Sequence, residues 1–189
     1  MKIYLLCAAA LACVPGVASA QDQVQDFAGP RAELRVGYET PTISDDGDVY
    51  KIDSAVSYGG EVGFDVQAGN KVVVGPYAVY EFSSVKLCDS GFCLKERGNL
   101  GAGGRIGFVA TPTLLVYGKV GYTRITIRAT DGFDSASESK GGVQGALGVD
   151  MNFGRNFYGL IEFNYGDYGK FEGVNLQRRH VAAGIGVRF

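Results

Sequence analysis

Few residues of this chain have the types and spacing from which catalytic, metal or cofactor sites are built. His180 is the only histidine among 189 residues. One imidazole leaves little for acid–base catalysis, and transition-metal sites usually draw on several His or Cys ligands. A lone histidine on a strand reads as a hydrogen-bonded interior residue. Cys88 and Cys93 bracket the run CDSGFC. A redox-active pair is expected nearer a Cys-x-x-Cys spacing, so the expectation is a structural disulfide, whose short loop contributes about 2 kcal/mol. Asp45, Asp46 and Asp48 surround Gly47 like a fragment of a calcium loop. The twelve-residue spacing ending in a bidentate Glu is missing, and an acidic, solvated loop tip is the better reading. The pairs Gly103-Gly104 and Gly141-Gly142 follow no strand-to-helix pattern and give no phosphate cradle. These residues imply no cofactor, no metal and no catalytic group.

The remaining charges recur at every second position, each flanked by apolar residues. That period of two is the signature of strands. RAELRVGYET puts Ala32, Leu34, Val36 and Tyr38 on one face, and Arg31, Glu33, Arg35, Gly37 and Glu39 on the other. Seven further segments follow, near residues 55–66, 72–83, 97–109, 114–128, 141–151, 157–169 and 180–189. Their apolar faces include Tyr58, Phe64, Ile106, Phe108, Leu147, Ile161, Phe163 and Ile185; their polar faces include Ser57, Glu61, Asp65, Asn99, Arg105, Gln144, Asp150, Glu162, His180 and Arg188. Two segments are irregular. Residues 72–83 are apolar on both faces and contain Pro76, which cannot donate to a ladder. In 114–128, pointing Lys119 inward also turns in Leu115, Tyr117, Ile125 and Ile127, so a bulge or an extension above the membrane is expected.

A secreted sandwich would bury its apolar faces and expose its charges. Here the polar faces combine charge with glycine, and the apolar faces carry eleven aromatics suited to interfacial girdles: Tyr38, Tyr58, Phe64, Tyr80, Phe82, Phe108, Tyr122, Phe157, Phe163, Tyr165 and Phe189. A lipid-facing band around a polar lumen has that form. The fold class is therefore all-β, an eight-stranded antiparallel up-and-down transmembrane β-barrel.

Lys2, a short apolar run and Ala18-Ser19-Ala20 read as a cleavable signal peptide over residues 1–20. A lipoprotein leader using Cys13 is the weaker alternative, because Ala10 stands where that signal prefers Leu. Residues 21–30 are expected in the periplasm and residues 31–189 in the barrel. Cleavage leaves 17 basic against 20 acidic residues, net −3, which gives no reason to expect nucleic-acid binding. Connections of 41–54, 67–71, 84–96, 110–113, 129–140, 152–156 and 170–179 alternate strictly between long and short, as extracellular loops and periplasmic turns do.

The run LIEFNYGDYGKF, followed by a closing RHVAAGIGVRF, resembles the last hairpin of small OmpA/opacity-type outer-membrane barrels. Glu162, Phe163, Tyr165, Asp167, Tyr168, Gly169 and Phe189 occupy the matching positions. Leu115, Tyr117, Lys119 and Gly121 are similar to that family's fifth strand. The resemblance implies an outer-membrane location, lipid partners, and a C-terminal Phe189 read by the barrel-assembly machinery. In contrast to lipid A deacylase barrels, whose His and Ser stand close together near the C-terminus, position 182 is Ala.

These phases point Arg35, Glu61, Arg105, Lys119 and Glu162 inward at nearby heights as a charge network. Glu33, Glu39, Asp65, Glu81, Asp150 and Arg188 lie nearer the two ends. An eight-stranded barrel is just wide enough to be filled by side chains. The expected role is therefore structural or surface-interacting, in adhesion or envelope integrity, with a host or surface ligand met at four extracellular loops. A small-solute porin is the alternative.

Overall fold

The computed structural model describes residues 27–45, 48–51, 54–84, 86–89, 92–130, 135–171 and 174–189. The expected signal peptide lies outside the described residues. Side-chain descriptions stop short of the strand ends nearest the loops. Ten strands form one antiparallel sheet: β1 (Gly29–Asp45), β2 (Asp48–Lys51), β3 (Ala55–Gln67), β4 (Val72–Ser83), β5 (Lys86–Asp89), β6 (Phe92–Thr111), β7 (Leu114–Thr130), β8 (Ser135–Asn152), β9 (Phe157–Phe171) and β10 (Val174–Arg188). Eight of them make the barrel wall, in sequence order, and β10 pairs with β1 from Arg31↔Arg188 to Ser44↔Asn175. That seam removes both sheet edges. Among the described residues no helix is long and apolar enough to cross a membrane.

The short strands β2 and β5 fold back on β1 and β6 as hairpins beyond the wall. Much of each long connection is therefore strand among the described residues. Strand pairing continues upward to Asp45↔Asp48, Cys88↔Cys93, Thr130↔Ser135 and Phe171↔Val174. Two chain segments already running antiparallel satisfy their backbone groups most simply by continuing the ladder. The three turns at the opposite end are short; one closes by Ala68 N donating to Val72 O at 2.7 Å, with Gly69 at φ +85°.

All eleven aromatics assigned to the girdles face outward. Tyrosine predominates toward the loops and phenylalanine toward the turns. A phenol suits the boundary because its hydroxyl can stay hydrated above a ring in lipid. Phe153, in the last short turn, is a further outward aromatic that strand periodicity did not reveal. Pro76 also points outward, and β3–β4 pairing skips from Gly63↔Tyr77 to Val66↔Val74 around it without a change of register. A residue with no N–H is tolerated there because the gap is local.

Inward positions alternate between large polar side chains and glycines that make room for them. A Cβ at Gly186 would stand 2.2 Å from Tyr158 Cζ, and one at Gly148 would stand 2.5 Å from Tyr117 Cζ. Leu115, Tyr117, Lys119 and Ile125 all point inward with unbroken β7–β8 pairing. The expected irregularity lies instead in the β6–β7 register, at Glu96/Gly98 and Val109/Thr111.

A sheet with no free edge resists detergent until heated. Unheated protein is expected to migrate as a compact species on a detergent gel and to shift on boiling. Identical migration of the two samples, with no β-type circular dichroism, would remove the closed barrel.

Candidate functional site

Adjacent strands bring inward charges to a common height, and the lumen is filled by three stacked layers of them. The middle layer holds four of the five residues assigned to the network. Arg35, on β1, donates to Glu61 of β3 and Glu162 of β9 through very short contacts. Lys119, on β7, reaches Glu61 at 2.7 Å and Glu162 at 2.6 Å. Each carboxylate is shared by both cations, which closes a ring of four charges across the barrel. Tyr117 donates to Glu162 at 2.8 Å, and Arg31 joins Glu61 from below at 2.8 Å.

Arg105, the fifth residue, belongs to the layer below. It pairs with Asp150 at 2.5 Å and lies 3.6 Å from Asp65, with its guanidinium 3.8 Å from the centre of the Tyr117 ring. Arg105 is opposite Lys119 in register, but its long side chain bends toward Asp150 and Asp65. Arg31 and Glu33 (2.6 Å), and Arg188 with Asp150 (3.3 Å), complete this layer. Tyr158 donates to Glu33 at 2.9 Å.

The upper layer, nearest the loops, joins Arg178 to Glu39 (Nε to Oε2, 2.5 Å) and to Glu81 (3.1 Å). Arg178 precedes the expected segment 180–189, and the alternation of that segment carried two residues back reaches it, because β10 begins at Val174. Facing this cluster are neutral groups: Thr123 donates to Asn99 at 2.5 Å, Tyr168 to Asn99 at 3.2 Å, and Gln144 to Tyr77 at 3.1 Å.

The geometry also unites Ser57, His180 and Glu81, which no sequence spacing linked. Ser57 Oγ and His180 Nε2 are 2.8 Å apart, and His180 Nδ1 is 3.7 Å from Glu81. The order is that of a nucleophile, its base and an orienting acid. Here, however, Ser57 and His180 are 1% and 2% exposed, and Glu81 is engaged by Arg178. His180 reaches Ser57 across Gly37, where a Cβ would lie 2.0 Å from Nε2. The contact thus ties β10 to β3 over β1. Among the described residues no group of three or more His, Cys, Asp or Glu side chains is arranged to hold a metal ion.

The three layers leave little open space. Between the middle and upper layers the gap bounded by Arg35, Glu61, Glu81, Lys119, Glu162 and Arg178 offers about 10 Å³ to a water centre, room for about one molecule. Phe189 lies outside the lumen, facing outward at the end of the wall, and its backbone N donates to Pro30 O at 3.0 Å. Cys88 and Cys93 are backbone register partners of the β5–β6 hairpin.

A closed barrel with an apolar aromatic exterior and a charged, packed lumen defines a small outer-membrane β-barrel protein. The family model described as outer membrane protein beta-barrel domain matches residues 6–189, and the chain belongs to that family in the cell outer membrane. Ail, the attachment invasion locus protein of Yersinia pestis, solved with the heparin analogue sucrose octasulfate, is similar in fold. It has a TM-score of 0.60 at 18% identity over 85% of this chain and 99% of that one. Neisserial surface protein A gives 0.60 at 16% identity over 84% and 97%. OprG of Pseudomonas aeruginosa gives 0.52 at 14% identity over 89% and 99%. No curated protein matches the sequence.

Removing one member of the middle ring leaves buried charges without full compensation. Glu162→Gln is expected to destabilise the folded barrel by about 3–5 kcal/mol, whereas Glu138→Gln, on an exposed side chain, is expected to change stability by less than about 0.5 kcal/mol. Adding Lys119→Met to Glu162→Gln should recover part of the loss, because the pair then leaves together. Urea unfolding from lipid vesicles measures all three, and equal midpoints for the two single variants would refute the ring.

Proposed function

We propose that this chain is a non-enzymatic surface protein that acts through its four extracellular hairpins, in adhesion or envelope integrity, and not by passing solutes. The observation that carries this reading is the middle ring of Arg35, Glu61, Lys119 and Glu162, backed by a charged layer on either side. A solute would have to part buried ion pairs that span the lumen. The sealed Ser57–His180 pair likewise offers a substrate no approach, which supports a holding role for it.

Binding specificity in such a barrel lies in the loops, where sequence can change without disturbing the wall. Ail was solved with a heparin analogue, so a sulfated glycan is the first ligand to try here, alongside host matrix proteins and envelope components. Export by a leader over residues 1–20, a periplasmic segment after it, and assembly-machinery recognition of Phe189 complete the reading. Planar-bilayer recordings should show negligible conductance from the unmodified protein, and immobilised barrel should retain one of the three ligand classes. Large, stable single-channel currents would transfer the reading to small-solute transport.

The opposed positions of Cys88 and Cys93 at a hairpin tip support a disulfide there. Both thiols are expected to resist alkylation on intact cells until a reductant is added, and then to label from outside. Thiols that label without reduction, or only after the outer membrane is opened, would contradict the bond or the orientation.

A further inference from the structure

The polar lumen gives way to an apolar cluster at its periplasmic mouth. Val73 of β4, Val109 of β6 and Leu115 of β7 point inward and are buried, forming one apolar cluster with Phe27. These three residues lie side by side on neighbouring strands, Val109 opposite Leu115 and Val73 opposite Gly107. Phe27 comes from the other side of the ring, from the two residues that precede β1, and is 0% exposed. Its ring stands 5.3 Å from the guanidinium of Arg188 on β10.

Gly29 makes this crossing possible. Its φ is +116°, and a Cβ there would stand 2.3 Å from the carbonyl oxygen of Phe189. A side chain at 29 would meet both a disfavoured backbone and the C-terminal residue. The chain can therefore leave the wall immediately before Pro30, whose carbonyl is held by Phe189 N, and turn into the lumen. Three aliphatic side chains aimed at a wet mouth are unfavourable unless covered, and an aromatic ring covers them.

We propose that Phe27 is a hydrophobic plug that seals the periplasmic mouth, a closure separate from the charged layers above it. It is seated by the Val73–Val109–Leu115 socket and capped by Arg188. Phe27 is in this account part of the barrel's barrier, although it precedes β1.

The test uses residues 21–189 folded in detergent, which leave out Cys7 and Cys13 of the leader, with Cys88→Ser and Cys93→Ser so that one introduced thiol reports alone. With Val109→Cys as reporter, a small charged methanethiosulfonate should react at least about tenfold faster when Phe27→Ala is added, while Phe27→Leu should preserve protection. Equal rates with and without Phe27 would overturn the plug. Should the alanine variant fail to show a heat-dependent gel shift, Phe27→Cys in the same background gives the answer. Its thiol should be protected in the folded barrel and reactive after unfolding, and a thiol reactive in the folded state overturns the proposal. Phe27→Ala should remain non-conducting, because the charged layers are intact; conductance from that variant would overturn the independence of the two closures even if the unmodified protein is silent.

Discussion

Lipid cannot hydrogen bond, and every other feature of this protein accommodates that fact. A backbone N–H or C=O left unpaired in hydrocarbon costs several kcal/mol, so a sheet that enters the membrane must close on itself. The β1–β10 seam does this over fourteen consecutive register pairs. Closure then sorts the side chains. With a period of two, each strand sends one set to lipid and the next to the lumen, so Leu34 and Val36 are exposed while Glu33 and Arg35 are buried. This is the inverse of a water-soluble core.

Eight strands enclose a lumen just wide enough to be filled by side chains, and here those side chains are mostly polar. Charges placed there lose their hydration, and only opposite charges and hydroxyls can replace it. The middle layer balances two cations against two carboxylates, and the lower layer balances Arg31, Arg105 and Arg188 against Glu33, Asp65 and Asp150. Tyr117 and Tyr158 add hydroxyl donors and ring faces against which Arg105 and Arg188 lie. The glycines opposite these rings admit them. Buried ion pairs of this kind contribute little net stability compared with hydrocarbon, but breaking one is costly. They therefore specify a single arrangement of the wall more than they strengthen it.

The apolar corner at the mouth beside the short turns follows a different logic. Strands β4 and β7 are apolar on both faces near their turn ends, which looked like a lapse in the alternation. Val73 and Leu115 have a partner in Phe27, so the lapse is a socket. The socket accounts for Val73 and Leu115 at the turn ends of the two irregular segments, where the β6–β7 register also shifts between Val109 and Thr111.

Much of this protein was legible in one dimension. A period of two, charges confined to one phase and a strict alternation of long and short connections determined the strand number, the facing of Arg35, Glu61, Lys119 and Glu162, and the outward aromatics. Those properties depend only on pleat geometry and on what lipid tolerates, so local pattern suffices. Other features required the closed structure. Height in the lumen depends on strand stagger and on how far a long side chain bends, which is why Arg105 joins Asp150 and not Glu61. The Ser57–His180 contact and the Arg178–Glu81 bridge join β10 to β3 and to β4 across intervening strands, which come within reach only after the ring closes. Phe27 had no strand periodicity to announce it; its place is set by a turn at Gly29 and by three aliphatic residues far along the chain, which meet only in three dimensions.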